Sequence, residues 1–307
     1  MATSSRRAPE PSRPKHVLAL FGPTASGKTA VAGILRERLG AEVISADSAA
    51  LYEGIPVITA APHYPVRLVG VVPLTEDVSV GRYQRLAHEE IDTADVPLVV
   101  GGTGLYFRAA LSSLALPPSV GGRRAHWQAE VERLGPSAAH ATLAERDPAA
   151  AARVHPNDRK RLVRALELAE AGTSLAPQTD RLWTADTRHP TTIVALDLPL
   201  EELDRRIVER TRAMVAAGAR DEARRAWRLP PSATARKVLG LQEFATLAEE
   251  AAVEAVTQRT RRLARYQRKW MRRMAGVVTL DANRPAEEIV ADILALGRAG
   301  ERLPGRA

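Results

Sequence analysis

No cysteine occurs in the 307 residues, which excludes a disulfide framework and thiolate metal ligation and fits the cytoplasm. Histidine offers no substitute. Its seven copies, at His16, His63, His88, His126, His140, His155 and His189, lack the short ligand spacings of a metal cluster, so zinc chemistry is not expected. Long hydrophobic runs are also missing, since stretches such as VLALF and PLVV fall far short of the roughly 20 residues a membrane helix needs. No membrane partner is expected. Residues 1–15 carry basic charge and proline without an apolar segment before a cleavage site, so they read as a disordered tail and not a secretory signal. Aromatic residues are sparse at 4%, but 45% hydrophobic and 26% charged residues place the chain among ordinary soluble enzymes.

What the chain has in excess is positive charge. A net charge of +8 and a pI near 10.2 give a basic surface whose natural partners are polyanions. The charge is concentrated. Eight Lys or Arg and no acidic residue lie between Ala255 and Leu280, whereas the preceding LAEEAAVE is acidic.

An apolar strand over 16–21, a glycine-rich turn and the helical pattern of TAVAGILRERL open the chain. AEVISADS, VPLVVGG, TTIVALDLP and VVTLDAN supply four more strand candidates, and a helix is expected over 81–92. The predicted class is α/β, a P-loop NTPase-like parallel sheet flanked by helices. Ligands on such sheets bind at the carboxyl ends of the strands, so the loops around Gly22, Asp47 and Gly102 should converge. Strand signal vanishes between Pro117 and Lys160, where QAEVERL, AAHATLAERD and AAAARVHPND read as short helices. A helical insertion over 117–160 is therefore expected, with the core formed by 16–116 and 161–300 and a tail over 301–307. After Pro199 the chain reads as EELDRRIVERTRAMVAAG, stopped by glycine, followed by two further helices to about Met274. In the last of these Leu263, Tyr266, Trp270 and Met274 form one apolar stripe, which leaves Arg261, Arg265, Arg268 and Arg272 on the outer side to meet phosphates.

Gly22-Pro23-Thr24-Ala25-Ser26-Gly27-Lys28-Thr29 matches G-x-x-x-x-G-K-[ST] between a strand and a helix. Glycines let backbone amides wrap a phosphate, Lys28 supplies a point charge, Thr29 can ligate Mg²⁺, and the helix dipole favours the anion. The loop means diphosphate binding, and leaves open whether a phosphoryl group moves or a diphosphate departs.

Asp47-Ser48-Ala49-Ala50-Leu51-Tyr52, Gly101-Gly102-Thr103-Gly104-Leu105-Tyr106 and His155-Pro156-Asn157-Asp158 follow in order. With Arg161, Arg164-Ala165-Leu166-Glu167, Thr260-Arg261, Ala264-Arg265, Gln267 and Trp270 they resemble the tRNA dimethylallyltransferase family over about residues 16–283. That resemblance implies prenyl transfer from dimethylallyl diphosphate to the exocyclic amine of the adenosine 3′ of the anticodon. Such an amine is a poor nucleophile and needs a carboxylate to take its proton, for which Asp47 at the end of the second strand is the candidate. Lys28, Thr29, Mg²⁺ and the loop amides would stabilise the departing diphosphate, and the resemblance places Thr24 near the bridging oxygen. It also implies contact with a tRNA anticodon stem-loop by Asp47, Ser48, Ala49, Ala50, Thr103, Arg124, Lys160, Arg161 and Arg164, with the target base flipped from its stack. A monomer is expected. The sequence departs from the family at Ala50, Ala61, Leu241 and Tyr266, where Gln, Lys, an aromatic residue and Arg are usual, and in a shortened loop over 61–70. Alternatives are a P-loop small-molecule kinase, an isopentenyltransferase of free adenine nucleotides and a noncatalytic RNA-binding nucleotide sensor.

Overall fold

The computed structural model describes residues 15–117, 123–176 and 181–298. Two compact units result, one formed by Met1–Ser113 with Leu182–Ala307 and the other by Leu114–Arg181. The expected tails at 1–15 and 301–307 lie outside the described residues, apart from Lys15.

The larger unit is built on β1 (Val17–Phe21), β2 (Glu42–Ser45), β3 (Pro97–Gly101), β4 (Thr191–Asp197) and β5 (Val277–Asp281), paired in the order β2-β3-β1-β4-β5. Every pairing is parallel. All five residues of β1 are buried, as a central strand covered on both faces must be. Its Leu18 and Leu20 pack with α1 (Lys28–Leu39) and with α9 (Leu200–Ala216) and α13 (Ala286–Arg298). Phe21 meets Phe107 of α4 (Gly104–Leu111) edge-on at 5.0 Å, and α3 (Val80–Thr93) lies beside α4. The short α2 (Pro56–Thr59) is held by Glu222 of α10 (Ala219–Trp227), whose carboxylate accepts the Val57 and Ile58 amides.

Where two helices were expected beyond α9, the chain forms α10, a 3₁₀ turn at Ala235–Lys237, α11 (Leu241–Thr246) and α12 (Glu249–Arg273). Phase along α12 also differs from expectation. Its buried residues include Val256, Thr260, Ala264, Gln267, Trp270 and Met271, while Leu263 and Tyr266 are 38% and 57% exposed. Arg261 and Arg265 reach Asp204, and Arg268 forms a paired contact with Asp197, so three of the four cations expected to meet phosphate are tied to α9 and β4, while Arg272 is exposed as expected. The reason is polar burial. Thr260 donates to the Val256 carbonyl and Gln267 bonds the phosphate loop, so both enter the core and displace Leu263 and Tyr266 from the buried stripe, while Trp270 and Met274 are buried as expected.

The smaller unit comprises α5 (Arg124–Leu134), α6 (Pro136–Arg146), α7 (Pro148–Ala151) and α8 (Arg159–Glu170). Leu162, Val163 and Leu166 of α8 share a core with Trp127, Val131, Leu143 and Val154. Helix α8 therefore belongs to this unit, which runs over 114–181 where 117–160 was expected. An amphipathic pattern shows that a helix buries one face, not which core receives it. His155 to Asp158 lie outside any helix, unlike the expected AAAARVHPND segment; His155 Nδ1 accepts the Asn157 amide and Asp158 caps α8 at the Arg161 amide.

Candidate active site

Residues 22–27 connect β1 to α1. Gly27 has φ +89° and caps α1, and Ala25 also takes a positive φ, +65°. Alternation of such conformations forms a backbone concavity suited to anions. A Cβ at Gly22 would approach Ser26 Oγ at 2.7 Å and the Leu196 carbonyl oxygen at 2.9 Å, so glycine there lets the loop lie against β4. Lys28 Nζ donates to the carbonyls of Gly22 and Pro23, at 2.9 and 2.7 Å, folding across the loop. Burial and the Arg210 charge pull its pKa down to about 7 against the opposing effect of Asp47.

The three strand-end loops do converge. A Cβ on Gly101 would lie 2.4 Å from the Ala46 carbonyl oxygen, and one on Gly102 would lie 2.7 Å from that of Gly22. At Gly104 it would enter the Trp270 ring. The GGTG run is thus a place where the backbones of the β2 end and the phosphate loop close in together with the Gln267 and Trp270 side chains of α12.

Asp47 follows β2 and makes a local turn, accepting the Ala49 amide at Oδ1 (2.9 Å). The Ser48 amide points at Thr103 Oγ1, 3.5 Å away. Asp47, Thr24, Lys28, Thr29 and Ala50 line one cavity of about 100 Å³ with Ser45, Arg210 and Gln267. Val43, Val66, Val69, Val100 and Tyr64 give it an apolar side. Cations and a carboxylate therefore face a small space that is apolar on one side. A wider groove of about 1190 Å³ shares Lys28, Thr29 and Arg210 with it and continues along Ile34, Val57, Ala213 and Met214.

Two residues of this cavity were not among the sequence candidates. Arg210 projects from the middle of α9; burial lowers its pKa and the Asp47 carboxylate raises it, the guanidinium remaining charged. Nothing in the arginine-rich α9 sequence singles it out. Gln267 does belong to the recognised carboxyl-terminal motif, but its role appears only in three dimensions, where Oε1 accepts the Thr24 amide at 2.8 Å. Beside Asp47, burial and the neighbouring Tyr52 and Asp47 push the Tyr106 hydroxyl up to about 12, so it stays protonated.

The other sequence candidates divide. Asp47, Ser48, Ala49, Ala50 and Thr103 are neighbours around the cavity. Arg124, Lys160, Arg161 and Arg164 lie in the helical unit. Lys160 and Arg161 are exposed in the first turn of α8. Arg164 instead pairs with the buried Glu167 at 3.3 Å. Arg124 starts α5, whose first residues meet the far end of α8: Arg123 and Trp127 both bond Glu170. It is thus separated from Lys160 and Arg161 by most of the length of α8.

A model of the IPP transferase family matches residues 50–274. The chain belongs to this family. A tRNA dimethylallyltransferase of Phenylobacterium zucineum is 44% identical over 288 residues, covering 86% of this chain and 92% of the relative. One of Kineococcus radiotolerans is 40% identical over 297 residues, covering 87% and 90%. The crystal structure of the full-length tRNA isopentenylpyrophosphate transferase from Bacillus halodurans matches with a TM-score of 0.66 at 28% identity, over 94% of this chain and 96% of that one. Within the IPP transferase fold, the residues at which this chain departs take definite places. Ala50 and Ala61 line the cavity, Leu241 is fully buried, and Tyr64 of the shortened loop donates to the Thr29 carbonyl at 2.8 Å.

Proposed function

We propose that this prenyltransferase moves a dimethylallyl group from dimethylallyl diphosphate to the exocyclic nitrogen of the adenosine 3′-adjacent to the anticodon in tRNA, in the cytoplasm. One observation carries the reading: Asp47 and the phosphate loop face each other across a single small cavity with an apolar side. The allylic C1–O bond breaks as the nitrogen–C1 bond forms. Asp47 takes the amine proton, and diphosphate departs with the electron pair of the broken bond. Lys28, Thr29 and Arg210 line the cavity where that charge develops, and the Thr24 hydroxyl would serve the departing oxygen, as the family resemblance implies. The apolar walls accept the five-carbon group and keep water from the electrophilic carbon.

Mg²⁺ fits the donor set. The Thr29 hydroxyl offers a hard oxygen on the wall of the same cavity, a donor suited to an ion whose other ligands are diphosphate oxygens and water. When bound, it would neutralise charge developing on the leaving diphosphate. Basic residues at the start of α8, Lys160 and Arg161, together with Arg124, are exposed for RNA phosphates. Among the described residues no helix is long and apolar enough to cross a membrane.

Incubation with radiolabelled dimethylallyl diphosphate tests the reading. Label should enter an anticodon stem-loop carrying the target adenosine, and neither free adenine nucleotides nor a stem-loop with that adenosine replaced. Label in free nucleotides, or in neither, overturns it.

A further inference from the structure

Helix α12 has two basic flanks of unlike character. On one side Arg261, Arg265 and Arg268 are tied to Asp204 and Asp197. Residues 262, 266, 269 and 273 follow the i, i+4, i+7, i+11 spacing of the other flank. Arg262, Lys269 and Arg273 there are exposed, and no carboxylate lies within ion-pair reach of them among the described residues. Between these cations stands Tyr266, 57% exposed, an unusual setting for so large an apolar ring.

This flank is aromatic beyond Tyr266. Its ring meets Trp270 edge-on at 6.4 Å, Trp270 packs on Trp183 with centroids 4.6 Å apart, and the Arg273 guanidinium covers Trp183 at 3.8 Å. The surface adjoins the reaction site. Trp270 lies against Gly104, next to Thr103 and the Ser48 amide, and Gln267, adjacent in sequence to Tyr266, bonds the phosphate loop.

We infer that the Tyr266 flank of α12 is a stacking platform for an unpaired base of the substrate RNA loop, placed beside the adenosine that enters the Asp47 cavity. The inference rests on the functional reading above. Interleaved cations and an open aromatic face match a single-stranded polyanion with flat bases, which stack on such rings regardless of base identity. Extrusion of one adenosine unstacks its neighbour, and the platform offers that neighbour a replacement surface. The unpaired cations answer the adjacent phosphates. Tyr266 occupies a position where the family usually has arginine, so stacking here is this chain's own solution.

Fluorescence titration of a labelled anticodon stem-loop, without prenyl donor, tests this independently of transfer. Tyr266→Ala should weaken binding about five- to hundredfold, the scale of one stacked base, while Tyr266→Phe binds as the wild type. Changing Arg262, Lys269 and Arg273 together to Gln should flatten the log–log salt slope by about two units. A stem-loop with an abasic residue next to the target should erase the difference between Tyr266→Ala and wild type. Circular dichroism and diphosphate affinity should stay at wild-type values in all variants, because the changed side chains are exposed. Wild-type affinity and salt slope in both the alanine and the triple variant overturn the platform and leave the face to a protein partner. Failure of the wild type to transfer label while these binding differences persist would sink the functional reading alone.

Discussion

Gln267 and Thr24 are separated by 243 positions in the chain, yet the Gln267 side-chain oxygen accepts the Thr24 amide at 2.8 Å. This one bond ties the longest helix to the middle of the phosphate loop, and places a neutral acceptor where a carboxylate would repel the leaving group. It also explains why an otherwise basic helix buries an amide: Gln267 is only 3% exposed.

Replacing Gln267 with leucine keeps the volume and removes the acceptor. An unmade buried hydrogen bond costs about 1–3 kcal/mol, and the cost falls on the loop conformation that binds diphosphate. Calorimetry should show diphosphate binding about tenfold weaker, roughly 1.4 kcal/mol, with RNA affinity unchanged. Wild-type diphosphate affinity would show that the loop holds its shape without α12.

For Asp47, asparagine is more informative than alanine. The turn that places the side chain uses Oδ1 to accept the Ala49 amide, and asparagine can keep that bond while losing basicity. Asp47→Asn should bind diphosphate and stem-loop normally and lose single-turnover prenyl transfer by about 10²-fold or more, the scale of general base catalysis. Transfer within a few-fold of wild type would remove Asp47 from proton abstraction.

Lys28 gives a pH dependence with a definite sign. Burial and the Arg210 charge draw its pKa down to about 7, so above that pH the amine of the free enzyme is mostly neutral. A bound diphosphate restores the charged form, and binding must then take up a proton. Affinity attributable to Lys28 should therefore fall as pH rises above about 7, by up to about tenfold per unit, and level off below it. Calorimetry in buffers of different ionisation enthalpy reads the proton uptake. Lys28→Ala should abolish that component, leaving only the ionisations of diphosphate itself; equal uptake by variant and wild type would contradict the mechanism.

Much of this arrangement was legible in the sequence, because it depends on local patterns. The P-loop match, the five apolar strands and the strand-end positions of Asp47 and Gly102 follow from spacing alone, and the convergence of their loops follows from parallel topology. Only the carboxyl-terminal part of the α12 stripe was legible, where Trp270 and Met274 are buried as expected. Apolar periodicity selected Leu263 and Tyr266 as core, whereas the helix buries Thr260 and Gln267 because their polar groups find partners. Hydropathy registers the polar group and not its partner. Arg210 was hidden for a similar reason: α9 holds several arginines, and only the position of Asp47 across the cavity distinguishes this one. Arg164 shows the reverse, a basic residue in an RNA-like pattern that is used for a buried glutamate.

The GGTG run separates two kinds of glycine requirement that a sequence motif cannot tell apart. At Gly101 a Cβ would lie 2.4 Å from the Ala46 backbone oxygen, so relief requires β2 and β3 to move at the end that carries Asp47. At Gly104 the obstacle is the Trp270 ring, at 2.2 Å, a side chain that can be replaced. Overpacking typically costs about 1–3 kcal/mol, and both single alanine variants should melt at lower temperature. Only one should be rescued. Gly104→Ala combined with Trp270→Leu should recover part of the lost stability and keep diphosphate binding, because the smaller side chain leaves room for the new methyl. Gly101→Ala should respond to Trp270→Leu with no more than additive loss, since that ring is not its obstacle. Thermal denaturation of the three single variants and the two double mutants reads both couplings. Rescue of Gly101→Ala, or strictly additive losses for Gly104→Ala with Trp270→Leu, would show that these glycines are not held by the contacts assigned to them.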